Sequence, residues 1–193
     1  MREVIKLGLV LLIITSIAAV VLAFSNDYTK DIIADVEEKV NNDARMEVLP
    51  QAKDFKPLDE QQFKKLQDEN NKIIEIYVGY SESENIAGYT IKTATPGYGG
   101  DVLVITGISS EGKLTGMKVV SHQETPGLGA NSTKPDFQEQ FKGKLVDSEI
   151  TVVKSSPSSE NEIQAITGAT ITSRAVTSGV NIAREIFYSE FSK

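Results

Sequence analysis

From Leu7 to Phe24 the chain carries no charge (LGLVLLIITSIAAVVLAF), and after Lys6 the next charged residue is Asp27. A helix over this run, at about 1.5 Å per residue, spans roughly 27 Å, close to the thickness of a hydrocarbon core. The pattern predicts a membrane anchor over residues 1–25, in contact with lipid through residues 7–24. A cleaved signal peptide competes with this reading, since Val21-Leu22-Ala23 offers small residues near a cut. The run exceeds the usual signal-peptide core, so a retained anchor is expected. Arg2 and Lys6 precede the span. The positive-inside bias then places the N-terminus in the cytoplasm and the C-terminal domain outside it, on the extracytoplasmic side.

Beyond the span the period changes. Ile33, Val36 and Val40 recur at helical spacing among Asp31, Asp35, Glu37, Glu38 and Lys39, which predicts a polar helix from Asp27 to Arg45. Its apolar stripe is expected to pack on the following domain. Pro50 and Pro57 end this helix, and Leu58 to Asn70 reads as a second charged helix with Phe63 and Leu66 on one side. Residues 26–70 are accordingly read as helical stalk and linker.

Residues 71–193 read as one domain. Lys72–Tyr80, Ile86–Ala94, Asp101–Ile108 and Leu114–Ser121 are β-branched and aromatic runs separated by turn residues, hence four strands. Glu111-Gly112 marks a hairpin between the last two. A short helix at Asp136–Phe141, a strand at Glu149–Val153 and an exposed loop at Ser155–Ser159 follow. The last element is a helix from Ile171 to Ser189, with Val176, Val180, Ala183 and Phe187 on one face. The fold class is α+β: an N-terminal transmembrane helix, then a mostly antiparallel sheet with flanking helices.

Composition narrows the chemistry. There is no cysteine and only one histidine, His122, so disulfides, Cys-ligated zinc or iron–sulfur clusters, thiol redox centres and multi-histidine metal sites are excluded. A Ser-His-Asp hydrolase would have to use His122, and no G-x-S-x-G elbow accompanies it. A net charge of -7 argues against a nucleic-acid partner.

Two segments hold more glycine and hydroxyl than packing requires. His122-Gln-Glu-Thr-Pro-Gly-Leu-Gly129 leaves the end of a strand, and its two glycines allow the backbone to approach a ligand closely. Thr167-Gly-Ala-Thr-Ile-Thr-Ser173 lies just ahead of the amphipathic C-terminal helix. Free N–H groups and the helix dipole there stabilise an anion such as phosphate. Taken alone, either segment reads as a tight turn or a helix cap.

Taken together with Gly97-Tyr-Gly-Gly100 and the run from Gln164 to Ser173, behind an N-terminal span, the two segments resemble the FMN-binding domain family. Within it the chain is most similar to the G subunits of Rnf electron-transport complexes, with the C subunits of sodium-pumping NADH:quinone reductases as relatives. The resemblance covers nearly the whole chain. One position departs from it: Gln164 stands where many members carry an aspartate, six residues before the modified threonine.

The resemblance implies that FMN is the cofactor, joined through its phosphate to the hydroxyl of Thr170 by a separate flavin transferase that uses FAD and Mg²⁺. It also implies that Glu124, Thr125, Gly127, Leu128 and Gly129 lie near the flavin and that Tyr98 approaches the same pocket. Gly168 and Ala169 leave room for the transferase, while Thr167, Thr172 and Ser173 are phosphate-side hydrogen bonders. No residue of the chain is expected to be catalytic or to bind a metal. The implied function is electron transfer within a membrane complex that couples ferredoxin and NAD redox chemistry to Na⁺ or H⁺ transport, with the other subunits as partners. A stand-alone anchored flavoprotein and a non-redox anchored binding module are the alternatives.

Overall fold

The computed structural model describes residues 1–192 and divides into two compact units, Met1–Val40 and residues from Asn41 onward. The first helix, α1 (Arg2–Val48), contributes to both. Helix continues without a break from the apolar run through the polar one, because neither glycine nor proline occurs between Gly8 and Pro50. In the first unit no residue of the apolar run is buried, and the helix is long and apolar enough to cross a membrane. Within the first unit, Ile33, Val36 and Val40 are 53%, 55% and 43% exposed. The helical residues that pack on the sheet are Ala44 and Val48, further along α1.

The second unit is built on a five-stranded antiparallel meander in the order β1-β2-β3-β4-β5. Its strands are β1 (Asp54–Pro57), β2 (Ile73–Tyr80), β3 (Ile86–Pro96), β4 (Asp101–Ser109) and β5 (Leu114–Ser121). The four longer strands fall where the β-branched runs predict them. β1 does not: the stretch read as linker pairs Phe55 with Gly79 and Pro57 with Tyr77. A proline-ended strand at a sheet edge leaves little pattern. α2 (Glu60–Glu69) is capped by the Asp59 carboxylate, which accepts from the N–H groups of Gln61 and Gln62, and it buries Leu66 as its spacing requires.

The sheet is covered on both faces. On one, Ala44 and Val48 meet Ile105, and Thr115 donates its hydroxyl to the carbonyl of Val48. Gly107 makes that approach possible, since a Cβ there would sit 2.3 Å from the Val48 oxygen. Arg45, 4% exposed, pairs with Glu75 and lies 3.8 Å from the centre of the Tyr77 ring. Lys92 holds the other oxygen of Glu75 at 3.1 Å. On the opposite face lies α4 (Thr170–Ile186), whose Val176, Val180 and Ala183 are fully buried, and Phe187 beyond its end is buried beside them. Thr95 donates to the carbonyl of Ala175 at 2.8 Å, fixing the start of α4 over β3.

Between sheet and helix, the chain forms a 3-10 turn at Gly129–Thr133, the short α3 (Pro135–Gln138) and a further 3-10 turn at Glu139–Phe141. β6 (Thr151–Val153) then pairs in parallel with β7 (Glu162–Gln164). β7 is too short to show alternation, so its sequence carries no strand signal. The observed architecture is the expected α+β class.

Candidate functional site

Three loops meet at the N-terminus of α4. The first is the turn at 97–100 between β3 and β4, the second runs from His122 to Gly129 after β5, and the third leads from β7 into α4. They enclose a cleft of about 500 Å³ whose lining includes Tyr98, Glu124, Thr125, Leu128, Gly129, Gly168, Ala169, Thr170 and Thr172. Nine of the residues expected from sequence are therefore brought to one place. Ile171 lines it as well and is not among those expected. Its only sequence signal is a large apolar side chain in the first turn of a helix, one residue outside the buried stripe.

Gly127, Thr167 and Ser173 stand elsewhere. Thr167 faces a neighbouring hollow with Asn131 and Lys134. Ser173 is fully buried; its hydroxyl donates to the Ala169 carbonyl at 2.9 Å and accepts from the N–H of Ile166 at 2.9 Å. It therefore closes the loop onto the helix. Gly127 takes φ +79° in open space, so the turn rather than a close neighbour accounts for the glycine.

Glu124 fastens the loops together. It is buried, and its Oε1 accepts from the backbone N–H of Tyr98 at 2.7 Å and of Gly99 at 3.2 Å. Its Oε2 accepts from the Thr172 hydroxyl at 2.7 Å. Burial alone would raise its pKa, but the hydrogen bonds from Thr172, Tyr98 and Gly99 outweigh it and hold the carboxyl below its ordinary value. His122 accepts at Nδ1 from the N–H of Glu124 at 3.1 Å; the ring shapes the turn. Gly129 is required by the same arrangement, since a Cβ there would lie 2.3 Å from Glu124 Oε2 and 2.5 Å from Thr172 Oγ1.

These commitments sort the hydroxyls at the start of α4. Thr172 is engaged by Glu124 and Ser173 by the loop, whereas Thr170 stands half-buried in the cleft wall as the first residue of the helix. Ser173 N–H makes the first helical bond, to Ala169. The N–H groups of Thr170, Ile171 and Thr172 precede it and have no intrahelical acceptor. With the dipole of a 17-residue helix behind them, they favour an anion beside the Thr170 hydroxyl. Around the mouth, Tyr98, Leu128 and Ile171 are 72%, 44% and 55% exposed. The cleft thus offers apolar and aromatic surface at its rim and an anion-stabilising end at its base, and fits a ligand with a flat apolar ring and a phosphate.

Comparison with known proteins agrees with this geometry. Residues 97–185 match the FMN-binding domain family. The chain is 44% identical to the G subunit of the Na⁺-translocating ferredoxin:NAD⁺ oxidoreductase complex of Acetobacterium woodii, over 100% of this chain and 95% of the relative. It is 33% identical to the G subunit of the ion-translocating oxidoreductase complex of Methanosarcina acetivorans, over 94% and 93% of the two chains. Among solved structures, NqrC of Shewanella oneidensis shares the fold at a TM-score of 0.52 and 20% identity, over 61% of this chain and 58% of that one.

Proposed function

Because the chain belongs to the family of G subunits of ion-translocating oxidoreductase complexes, with their FMN-binding domain, we propose that it carries FMN covalently on Thr170 and relays electrons within such a complex. The observation that carries the reading is the placement of Thr170: a hydroxyl in the wall of a cleft, at the mouth of α4, beside N–H groups that no helical carbonyl satisfies.

When bound, FMN supplies the one- and two-electron chemistry, and the protein's share is position and environment. Thr170 would present the hydroxyl oxygen that bonds to the flavin-side phosphorus of FAD, its proton passing to a base while the pyrophosphate bond breaks and AMP leaves. A separate flavin transferase with Mg²⁺ supplies the base and metal for that exchange, so the chain needs no catalytic group of its own. The N–H groups of Thr170 and Ile171 would stabilise the phosphate charge. Tyr98, Leu128 and Ile171, at the cleft rim, would cover the ring and limit water around it. Glu124 keeps the three loops in register through its bonds from Tyr98, Gly99 and Thr172. In this reading the anchor at residues 7–24 fixes the domain on the extracytoplasmic face, among the other subunits of the complex.

The test is direct. Full-length chain produced with the flavin transferase should give a band whose flavin fluorescence survives denaturing electrophoresis, and the remaining complex subunits should copurify with it from native membranes. A dark band overturns covalent attachment. A fluorescent chain that copurifies with no other subunit overturns membership of a complex and favours an anchored flavoprotein acting alone.

A further inference from the structure

The exposed face of α1 beyond the membrane run is unexplained by the flavin site. At about 100° per residue, Tyr28, Ile32, Val36, Val40 and Ile33 fall within an arc of roughly 140°, which Thr29 and Lys39 share. All five are between 43% and 78% exposed. Lipid does not cover this stripe along its length. Val40 lies about 24 Å of helix beyond Phe24, whereas the headgroup region adds only about 5–8 Å on each side of the hydrocarbon. Beside the stripe runs a row of acids, Asp27, Asp31 and Asp35, spaced four residues apart so that like charges are neighbours. Lys30 pairs with Asp27 at 2.5 Å; Asp31 and Asp35 have no ion pair among the described residues.

An apolar stripe in water and an acidic row beside it that Lys30 compensates at Asp27 alone both disfavour an isolated helix, and one kind of partner relieves both. A second copy of the chain does not. Held parallel by the same membrane, it brings five acids between Asp27 and Val40 against two lysines, of which Lys30 is already engaged. We propose that Tyr28–Val40 is the docking surface for a helix of a different membrane protein of the complex, whose apolar face is edged with Lys or Arg. This rests on the reading of the chain as part of a membrane complex, and names the chemistry of the neighbour that reading requires.

Full-length chain bearing a photo-activatable residue at Val36, or at Ala34 on the opposite side of the helix, is irradiated in native membranes, and the adducts are sequenced. Val36 should cross-link to one other membrane component of the complex with a yield several-fold above Ala34. The joined peptide should carry Lys or Arg at helical spacing beside apolar residues. Asp31→Lys combined with Asp35→Lys should reduce that yield several-fold while the chain stays in the carbonate-washed membrane. A self-adduct, lipid adducts alone, equal yields from the two faces, no adduct, or a joined peptide without basic residues would each overturn the proposal. Copurification of the other subunits with the unsubstituted chain reports separately on complex membership, so failure of the docking surface is distinguishable from failure of the functional reading.

Discussion

The hydroxyl of Thr172 donates to Oε2 of Glu124 at 2.7 Å, joining two segments 48 residues apart. Through this bond and the two N–H groups on Oε1, a single buried carboxylate sets the spacing of the cleft walls. Removing one partner leaves a buried charge under-satisfied. Thr172→Val should therefore lower stability by about 1–3 kcal/mol, whereas Thr172→Ser should keep most of it. Thermal unfolding of the detergent-solubilised chain measures both.

The same carboxylate makes a pH prediction. Glu124 titrates below its ordinary value in the folded chain, so the stability it contributes is present above the ordinary glutamate range. It is lost as pH falls through the depressed native value. Glu124→Gln should be destabilising at neutral pH, and the difference from wild type should shrink on acidification. A difference that stays constant across that range would show that the charge of Glu124 contributes nothing to the latch.

Gly127 and Gly129 look alike in sequence and should behave differently. Gly129→Ala drives a methyl into Glu124 and Thr172, an overpacking expected to cost about 1–3 kcal/mol and to disturb flavin occupancy. Gly127→Ala meets open space and bears only the left-handed backbone cost, about 1–2 kcal/mol. Flavin absorbance per protein, measured beside unfolding, separates the two: occupancy should fall for Gly129→Ala alone.

Much of this arrangement is legible in sequence because it is local. The strands between Ile73 and Ser121 and the buried face of α4 show their periods directly, and the loops bearing Tyr98, Glu124 and Thr170 are marked by glycine. What is not legible depends on distant pairing. β1 is recognisable only through its register with β2. Burial of Arg45 depends on Glu75 and Tyr77 of a strand formed thirty residues later. The roles of Thr172 and Ser173 invert for the same reason: expected to face a phosphate, their hydroxyls are engaged by Glu124 and by Ala169 with Ile166.

Arg45 supplies a test of that long-range packing. Arg45→Met keeps the apolar stem but removes the ion pair to Glu75 and the stacking on Tyr77. Because Lys92 still holds Glu75, the loss should be about 1–3 kcal/mol, below the roughly 3–5 kcal/mol of a fully orphaned buried charge. Chemical denaturation of the Arg45→Met chain and of an Arg45→Met, Glu75→Gln double variant would show how much Lys92 offsets.

Topology follows from Arg2 and Lys6 ahead of the apolar run. A reporter fused to the C-terminus and active only outside the cytoplasm should be active, and one active only inside should be silent. The reverse pattern would remove the electron relay from the extracytoplasmic face.

The central claim rests on one oxygen atom and is tested at that atom. Thr170→Val preserves shape and removes the hydroxyl from the cleft wall. Produced with the flavin transferase, its denatured band should be dark, while Thr170→Ser retains fluorescence, Thr172→Val, which loosens the Glu124 bond, is dimmer but still labelled, and Thr167→Val, which lies outside the cleft, is labelled like wild type. Mass spectrometry of the peptide containing residues 167–173 of the wild-type chain should place the flavin phosphate on Thr170. A fluorescent Thr170→Val band, or a flavin mapped to another residue, would contradict the account.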